Sequence, residues 1–379
     1  MTQLSGSAPN TVDNDWHASK DPLDRRVVAH EMRRYRAIFL HTGWRSAGTW
    51  VWSRFRVLKS VTAFYEPLHP ILSNLRGIDI PSLEPTWTSG HPALTAPYFT
   101  EYGSFIRESA YGVIGYRKSF STDRFGRMPD PGFPALQGYL ENLCDQTTAQ
   151  GKTPVFKFCR SLGRLPWFKN AFPEVMHAVV LRNPASQFAS GWLLHQQWNN
   201  PFFVAAPFRV LGLNQAEPVV MQAIELCGVR LPPTPASSID EYAETCEQYV
   251  RTVEGDNAYR AFLALWILCA LRSVADANLL IDMDRLGQSP EYASALHAQV
   301  RSRVDIAPSF SGARKLVMET RDHSRRMKGI DGRLIRPVHF SAQNFIASMQ
   351  GSTGTRTDVV ETIKEKLSLA AELSEQWRY

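Results

Sequence analysis

The chain has 379 residues, a formal net charge of +6 and a hydrophobic fraction of 44%, ample for a packed core in one large domain or two. Its basic residues form no long block, so the charge either attracts an anionic ligand, rather than serving a nucleic-acid arm, or only aids solubility. Five cysteines without CxxC spacing give no metal pattern and point to reduced thiols in a cytoplasmic protein. The first thirty residues are too polar for a signal peptide, and the most apolar stretch, 261–271, is too short to span a bilayer.

In chain order, residues 1–20 are rich in Ser, Asn and Asp and read as a loose N-terminus, and 21–34 read as a surface helix. Residues 37–40 are a short apolar run, followed by Gly43 and Gly48 and then by Trp50, Val51, Trp52 and Phe55 at helical spacing. That predicts strand, tight loop and helix, an arrangement that aims backbone N–H groups and a helix dipole at an anion. The two glycines have Walker-loop separation, but position 49 is Thr rather than Lys and the cation sits earlier, at Arg45. Such a loop either suits phosphate, though not ATP hydrolysis, or is an ordinary strand–turn–helix with a Gly turn.

Residues 61–65 predict a second strand, stopped by Glu66-Pro67-Leu68-His69-Pro70. Residues 76–133, rich in Pro, Gly, Ser and Thr, are either an insertion carrying substrate contacts or a long surface connection, with weak helical pieces such as 98–109. Then follow a helix over 134–150, a strand over 154–158 closed by Cys159-Arg160-Ser161, a helix over 165–171, and a strand over 175–181 closed by Arg182-Asn183-Pro184. A helix over 185–198 leads into a second Pro-rich insertion at 200–255. An apolar helix over 257–277, a buried strand over 279–283 and a helix over 289–304 come next. A basic, Gly-bearing loop over 309–333 precedes a helix over 358–377 with Glu and Lys on its outer face. No internal repeat is visible. Strands separated by helices imply an α/β fold: a P-loop-like, mainly parallel sheet flanked by helices on both faces, with helical and loop insertions. Ligands in such sheets sit at the carboxyl ends of strands, where the unusual polar stretches 43–49, 66–69 and 182–190 fall.

Arg45-Ser46-Ala47-Gly48-Thr49-Trp50 is followed much later by Arg182-Asn183-Pro184 and Ser190, a serine eight residues after the arginine. With Glu66-Pro67 after the second strand, this set resembles the PAPS-dependent sulfotransferases, in particular bacterial and carbohydrate-type members. The motifs cover roughly residues 36–70 and 154–195. The resemblance implies a single sulfotransferase-like domain over 21–379 that transfers the sulfuryl group from PAPS to a hydroxyl, of a carbohydrate or glycosylated small molecule, and releases PAP without a metal. It implies that the first loop, Arg45, Ser46, Ala47, Gly48, Thr49 and Trp50, holds the 5′-phosphosulfate, with Arg45 also catalytic. Arg182 and Ser190 would then hold the 3′-phosphate and Glu66 would be the general base, with His69 second and His41, more simply a core histidine, third. No nucleic-acid partner and no membrane span are expected. The chain departs from the family at Ala47, where Gly is usual, so the turn either strains Ala47 or shifts by one residue. Lys157 and Arg160 either touch the anion or form a structural ion pair. Trp44 and Trp52 either stack on adenine or pack in the core. The basic cluster Arg314, Lys315, Arg321, Arg325, Arg326 and Lys328 either closes over the cofactor or is a solvated face. Two other functions compete: a nucleotide-dependent phosphotransferase with Asp282 and Asp284 as magnesium ligands, and a catalytically idle nucleotide-binding protein.

Overall fold

Five apolar runs pair in parallel in the order β2-β3-β1-β4-β5. They are β1 (Ile38–Thr42), β2 (Val61–Tyr65), β3 (Thr153–Phe158), β4 (Met176–Leu181) and β5 (Leu279–Asp282). The computed structural model describes residues 36–82, 94, 96–106, 111–121, 125, 133–233, 238–325, 327–352 and 356–378, all within the unit Tyr35–Tyr379. The loose segment and surface helix expected before residue 35 lie outside the described residues. Every residue of β1 and β4 is buried, as expected of parallel strands covered on both faces, which carry near-continuous apolar runs rather than alternating ones.

Thirteen α-helices follow the strands among the described residues. In chain order they are α1 (Gly48–Arg56), α2 (Pro134–Ala149), α3 (Leu165–Ala171), α4 (Pro184–Trp198), α5 (Phe202–Leu213), α6 (Pro218–Cys227), α7 (Ile239–Tyr249), α8 (Gly255–Val274), α9 (Met283–Leu286), α10 (Pro290–Val304), α11 (Ala313–Arg325), α12 (Gly332–Ser352) and α13 (Thr357–Ser374). The strands share one buried cluster with α1, α2, α3 and α10. A second cluster is built from α4 to α8 with α12 and α13. The 200–255 insertion is therefore helical and packed: α5 lies on α7 and α8, and α6 on α8. The described part of the 76–133 insertion holds only short 3-10 turns, Thr100–Phe105 among them.

Two expectations fail at the C-terminal end. Residues 313–325, expected as loop, form α11. Lys366, expected on the outer face of the last helix, is wholly buried.

The strand order positions the site. The chain leaving β1 runs to β2 on one side of it, whereas the chain leaving β4 runs to β5 on the other. The carboxyl ends of β1 and β4 thus flank the switch point, where an open parallel sheet has its crevice. Residues 43–47 follow one strand and Arg182 follows the other.

His41 does sit in the core, and its neighbours fix its tautomer. The Phe172 carbonyl can only accept, so His177 Nε2–H donates to it at 2.9 Å. Bare His177 Nδ1 then accepts from His41 Nε2–H at 3.0 Å, and His41 Nδ1 accepts from the Ser161 hydroxyl at 2.8 Å. Burial pushes His41 well below its ordinary pKa, with His177 adding to the effect. Burial also lowers His177 and His339 to about 4. All three are neutral in the fold, but in the unfolded chain they take up protons below about pH 6.5. Their contribution is therefore intact above that pH and is lost as pH falls toward 4. We expect stability to drop between pH 7 and pH 5 by up to about 2 kcal/mol for each fully buried histidine. Urea unfolding at the two pH values measures this, and equal midpoints would contradict it.

Candidate functional site

The loop between β1 and α1 is held tightly. A Cβ on Gly48 would lie 2.6 Å from Thr42 side-chain carbons, so close approach to β1 demands glycine there. Ala47 itself takes the left-handed conformation, φ 71°, so the turn does not shift by one residue. Arg45 (φ 62°) and Glu66 (φ 48°) do the same. Each costs about 1–2 kcal/mol for a residue with a Cβ, and such strain gathers where a site over-determines the backbone.

α1 begins at Gly48 with no side-chain cap and no acidic residue in its first turn. Its first backbone bond runs from Val51 N–H to the Ala47 carbonyl, and Ser46 N–H is spent on the Gly43 carbonyl. Helix geometry leaves the N–H groups of Gly48, Thr49 and Trp50 without intrahelical acceptors. Ser46, expected to offer its N–H, instead shapes the loop, its hydroxyl also bonding Gly43 O at 2.8 Å. The Trp50 ring lies under the Arg54 guanidinium.

Arg45 and Arg182 meet, although they are 137 positions apart. The Arg182 Nη1–H donates to the Arg45 carbonyl at 3.3 Å. Arg45 donates through Nε and Nη2 to the Ser190 hydroxyl at 3.0 and 2.8 Å. Loop, strand end and helix α4 thus converge as the motif spacing requires. Arg182 is only 3% exposed, and its Nε and Nη2 are buried without a hydrogen-bond partner. Burial lowers its pKa to about 10; Asp284 opposes that and Arg321 adds to it. Burial also lowers Arg45 to about 10, helped by Arg182. Arg182 lowers the Arg45 pKa, so the two desolvated guanidiniums disfavour each other, and Asp284 offsets part of that at Arg182.

Of the basic cluster on 311–333, Arg321 alone among the described residues turns inward; Arg314, Lys315, Arg325 and Lys328 are exposed, and Arg326 lies outside the described residues. Arg321 stands 3.7 Å from Asp284, and its Nε is buried without a partner. Asp284 also holds the strand end, accepting from Asn183 N–H at 2.8 Å and Asn183 Nδ2 at 2.7 Å. Asp282 and Asp284 are not arranged for magnesium, because the buried ammonium of Lys366 sits 2.6 Å from one and 3.5 Å from the other.

Glu66 lies at the end of β2, 3% exposed. Its carboxylate accepts from Lys157 Nζ, from Cys159 N–H at 3.1 Å and from Cys159 Sγ at 2.8 Å, with Arg160 at 3.6 Å. Burial raises its pKa, but Lys157 and Arg160 outweigh burial and hold it below its ordinary value. The raised pKa expected of a buried base is not found. Lys157 and Arg160 are its partners, and Lys157 also lies over the Tyr65 ring. Burial and Glu66 push the Cys159 thiol up to about 12, so it is inert. His69 is lowered by burial to about 4, and its Nδ1 accepts from Ile71 N–H. A neutral ring accepting at Nδ1 carries its proton on Nε2, making His69 a donor there.

Trp52 is fully buried against Tyr65 and Tyr98 and is no platform for adenine. Trp44 is half-buried and borders a cleft beside the loop. Among the described residues no three His, Cys, Asp or Glu side chains gather to hold a metal, and no helix is long and apolar enough to cross a membrane. No protein-family model matches the chain, and no curated protein or solved structure matches it.

Sequence reasoning missed Lys366 and weighed Asp284 only as a magnesium ligand, not as the anchor of Asn183. One signal for Lys366 was available: it falls on the stripe Ile363, Leu367, Ala370, where α13 is otherwise apolar.

Proposed function

We propose that this chain is a sulfotransferase that moves the sulfuryl group of PAPS to a hydroxyl. The observation that carries this is the meeting of Arg45, Arg182 and Ser190 at the switch-point crevice, with two Arg182 donors buried and unpartnered. The donor substrate supplies an activated sulfuryl group: an acceptor-oxygen–sulfur bond forms, the bond from sulfur to the 5′-phosphate oxygen breaks with its electron pair on phosphate, and the acceptor proton passes to a base. The products are a sulfate monoester and adenosine 3′,5′-bisphosphate.

In this reading the N–H groups opening α1 hold the 5′-phosphate, and Arg45 offsets charge developing on it. Arg182 with Ser190 grips the 3′-phosphate, and Arg321 reinforces that end. Glu66, ionised through the neutral range, is the proton acceptor. Its low basicity suits a loose transfer, in which the hydroxyl becomes acidic only as its oxygen bonds sulfur. A phosphotransferase fits less well, because Thr49 replaces the phosphate-binding lysine and Lys366 neutralises both aspartates a magnesium ion would need.

Calorimetric titration with adenosine 3′,5′-bisphosphate tests the assignment. Wild type should bind, and Arg45→Ala should bind at least about tenfold more weakly, since a charge-assisted hydrogen bond is worth about 1.5–3 kcal/mol. Equal affinities would remove it.

A further inference from the structure

A mainly apolar cleft opens beside the loop. Its position is informative. Gly43 and Trp44 line it from the phosphate loop, and Cys159 and Arg160 from the end of β3. Those last two residues, together with Lys157, contact the Glu66 carboxylate. The cleft therefore lies between the loop and the surroundings of the base, where an acceptor hydroxyl must be.

Its chemistry is equally specific. Phe125, Leu162, Val210, Phe262 and Leu265 form much of the wall, and among the described residues no carboxylate or asparagine lines it. The polar side chains on it are largely committed. Gln187 Nε2 and Trp266 Nε1 both donate to the Arg182 carbonyl. Arg160 faces Cys159 and Glu66. Trp44 Nε1 is a buried donor without a partner. A sugar would bring several hydroxyls into this wall, each costing about 1–3 kcal/mol if left unpaired. A single hydroxyl on an apolar ring needs only one donor.

We propose that this cleft is the acceptor site and that the acceptor is a largely apolar, ring-bearing hydroxyl compound, a phenol or ring alcohol, not a carbohydrate. The proposal rests on the sulfotransferase reading, and the transfer balances as written above with the ring hydroxyl as acceptor.

2-Naphthol binding, followed by fluorescence without the donor, separates the two claims. Wild type should bind 2-naphthol and, given PAPS, sulfate it in preference to methyl glucoside. Val210→Phe, which fills the cleft from α5, should weaken naphthol at least about tenfold, as overpacking by about 1–3 kcal/mol implies. The affinity for adenosine 3′,5′-bisphosphate should stay within about twofold. Cys269→Phe fills the cleft from α8 and serves as the second variant should the first not fold. Preferred sulfation of methyl glucoside, or naphthol affinity unchanged in a folded filling variant, would overturn the acceptor assignment while bisphosphate binding left the donor site standing. Loss of bisphosphate binding in wild type would instead overturn the donor site, and this proposal with it.

Discussion

Arg182→Met is expected to reduce affinity for adenosine 3′,5′-bisphosphate on the order of a hundredfold while leaving the thermal midpoint unchanged or raised. The combination is what matters. A structural arginine has its donors satisfied, and its loss leaves carbonyls or carboxylates orphaned. Arg182 makes one long bond, to the Arg45 carbonyl, and holds two buried donors with nothing to bond. Each unsatisfied buried donor costs about 1–3 kcal/mol. Methionine has similar length and no charge, so it removes that cost and the repulsion with Arg45 and Arg321. Function and stability are then in opposition at this position, as is common where a site is kept ready for a ligand. Calorimetry and a thermal melt on the same preparation read both quantities. A melt that fell together with affinity would make Arg182 a structural residue.

Lys366→Met is expected to cost about 3–5 kcal/mol of stability, the usual penalty for removing one partner of a buried ion pair. Lys366 is wholly buried, 2.6 Å from Asp282 and 3.5 Å from Asp284. Its own pKa stands above the ordinary value because the two carboxylates outweigh burial. Without it two carboxylates are left uncompensated, and Asp282 is already raised by burial. Adding Asp282→Asn should restore part of the loss. Asparagine can still cap α9 through the oxygen that now accepts from Asp284 N–H and Arg285 N–H. Chemical denaturation of the single and double variants measures both effects. A loss below about 1 kcal/mol in the single variant would show that the triad is dispensable.

The five strands were legible because each is a short apolar run ended by a charged or turn-forming residue, and their alternation with helices carried the fold class. The two stretches proposed to face phosphate were legible because loop and helix-start chemistry is local. What stayed hidden is mostly non-local. Nothing near residue 366 reveals that its ammonium meets the end of β5, so it read as a surface lysine on an amphipathic helix. Arg321 sat in a basic cluster whose members look alike in sequence, and only the packing of α11 on α4 and α9 selects it. The helix α12 went unread for a local reason: Pro337 stands inside it. The pattern Ile335, Val338, Ala342, Phe345 and Ile346 on its buried face was there to be counted. Glu66 illustrates the opposite failure. Its place at a strand end was legible, but the sign of its pKa shift depends on Lys157, which lies 91 positions away.

Asp284 answers at once to Asn183, which opens α4, and to Lys366, far downstream. During synthesis on the ribosome the loop after β1, Arg45 and Arg182 emerge long before that lysine. A nascent chain can close its sheet yet still lack the ammonium that neutralises the aspartates steadying the crevice. In the proposed reading, competence to capture a nucleotide is thereby tied to a nearly finished polypeptide.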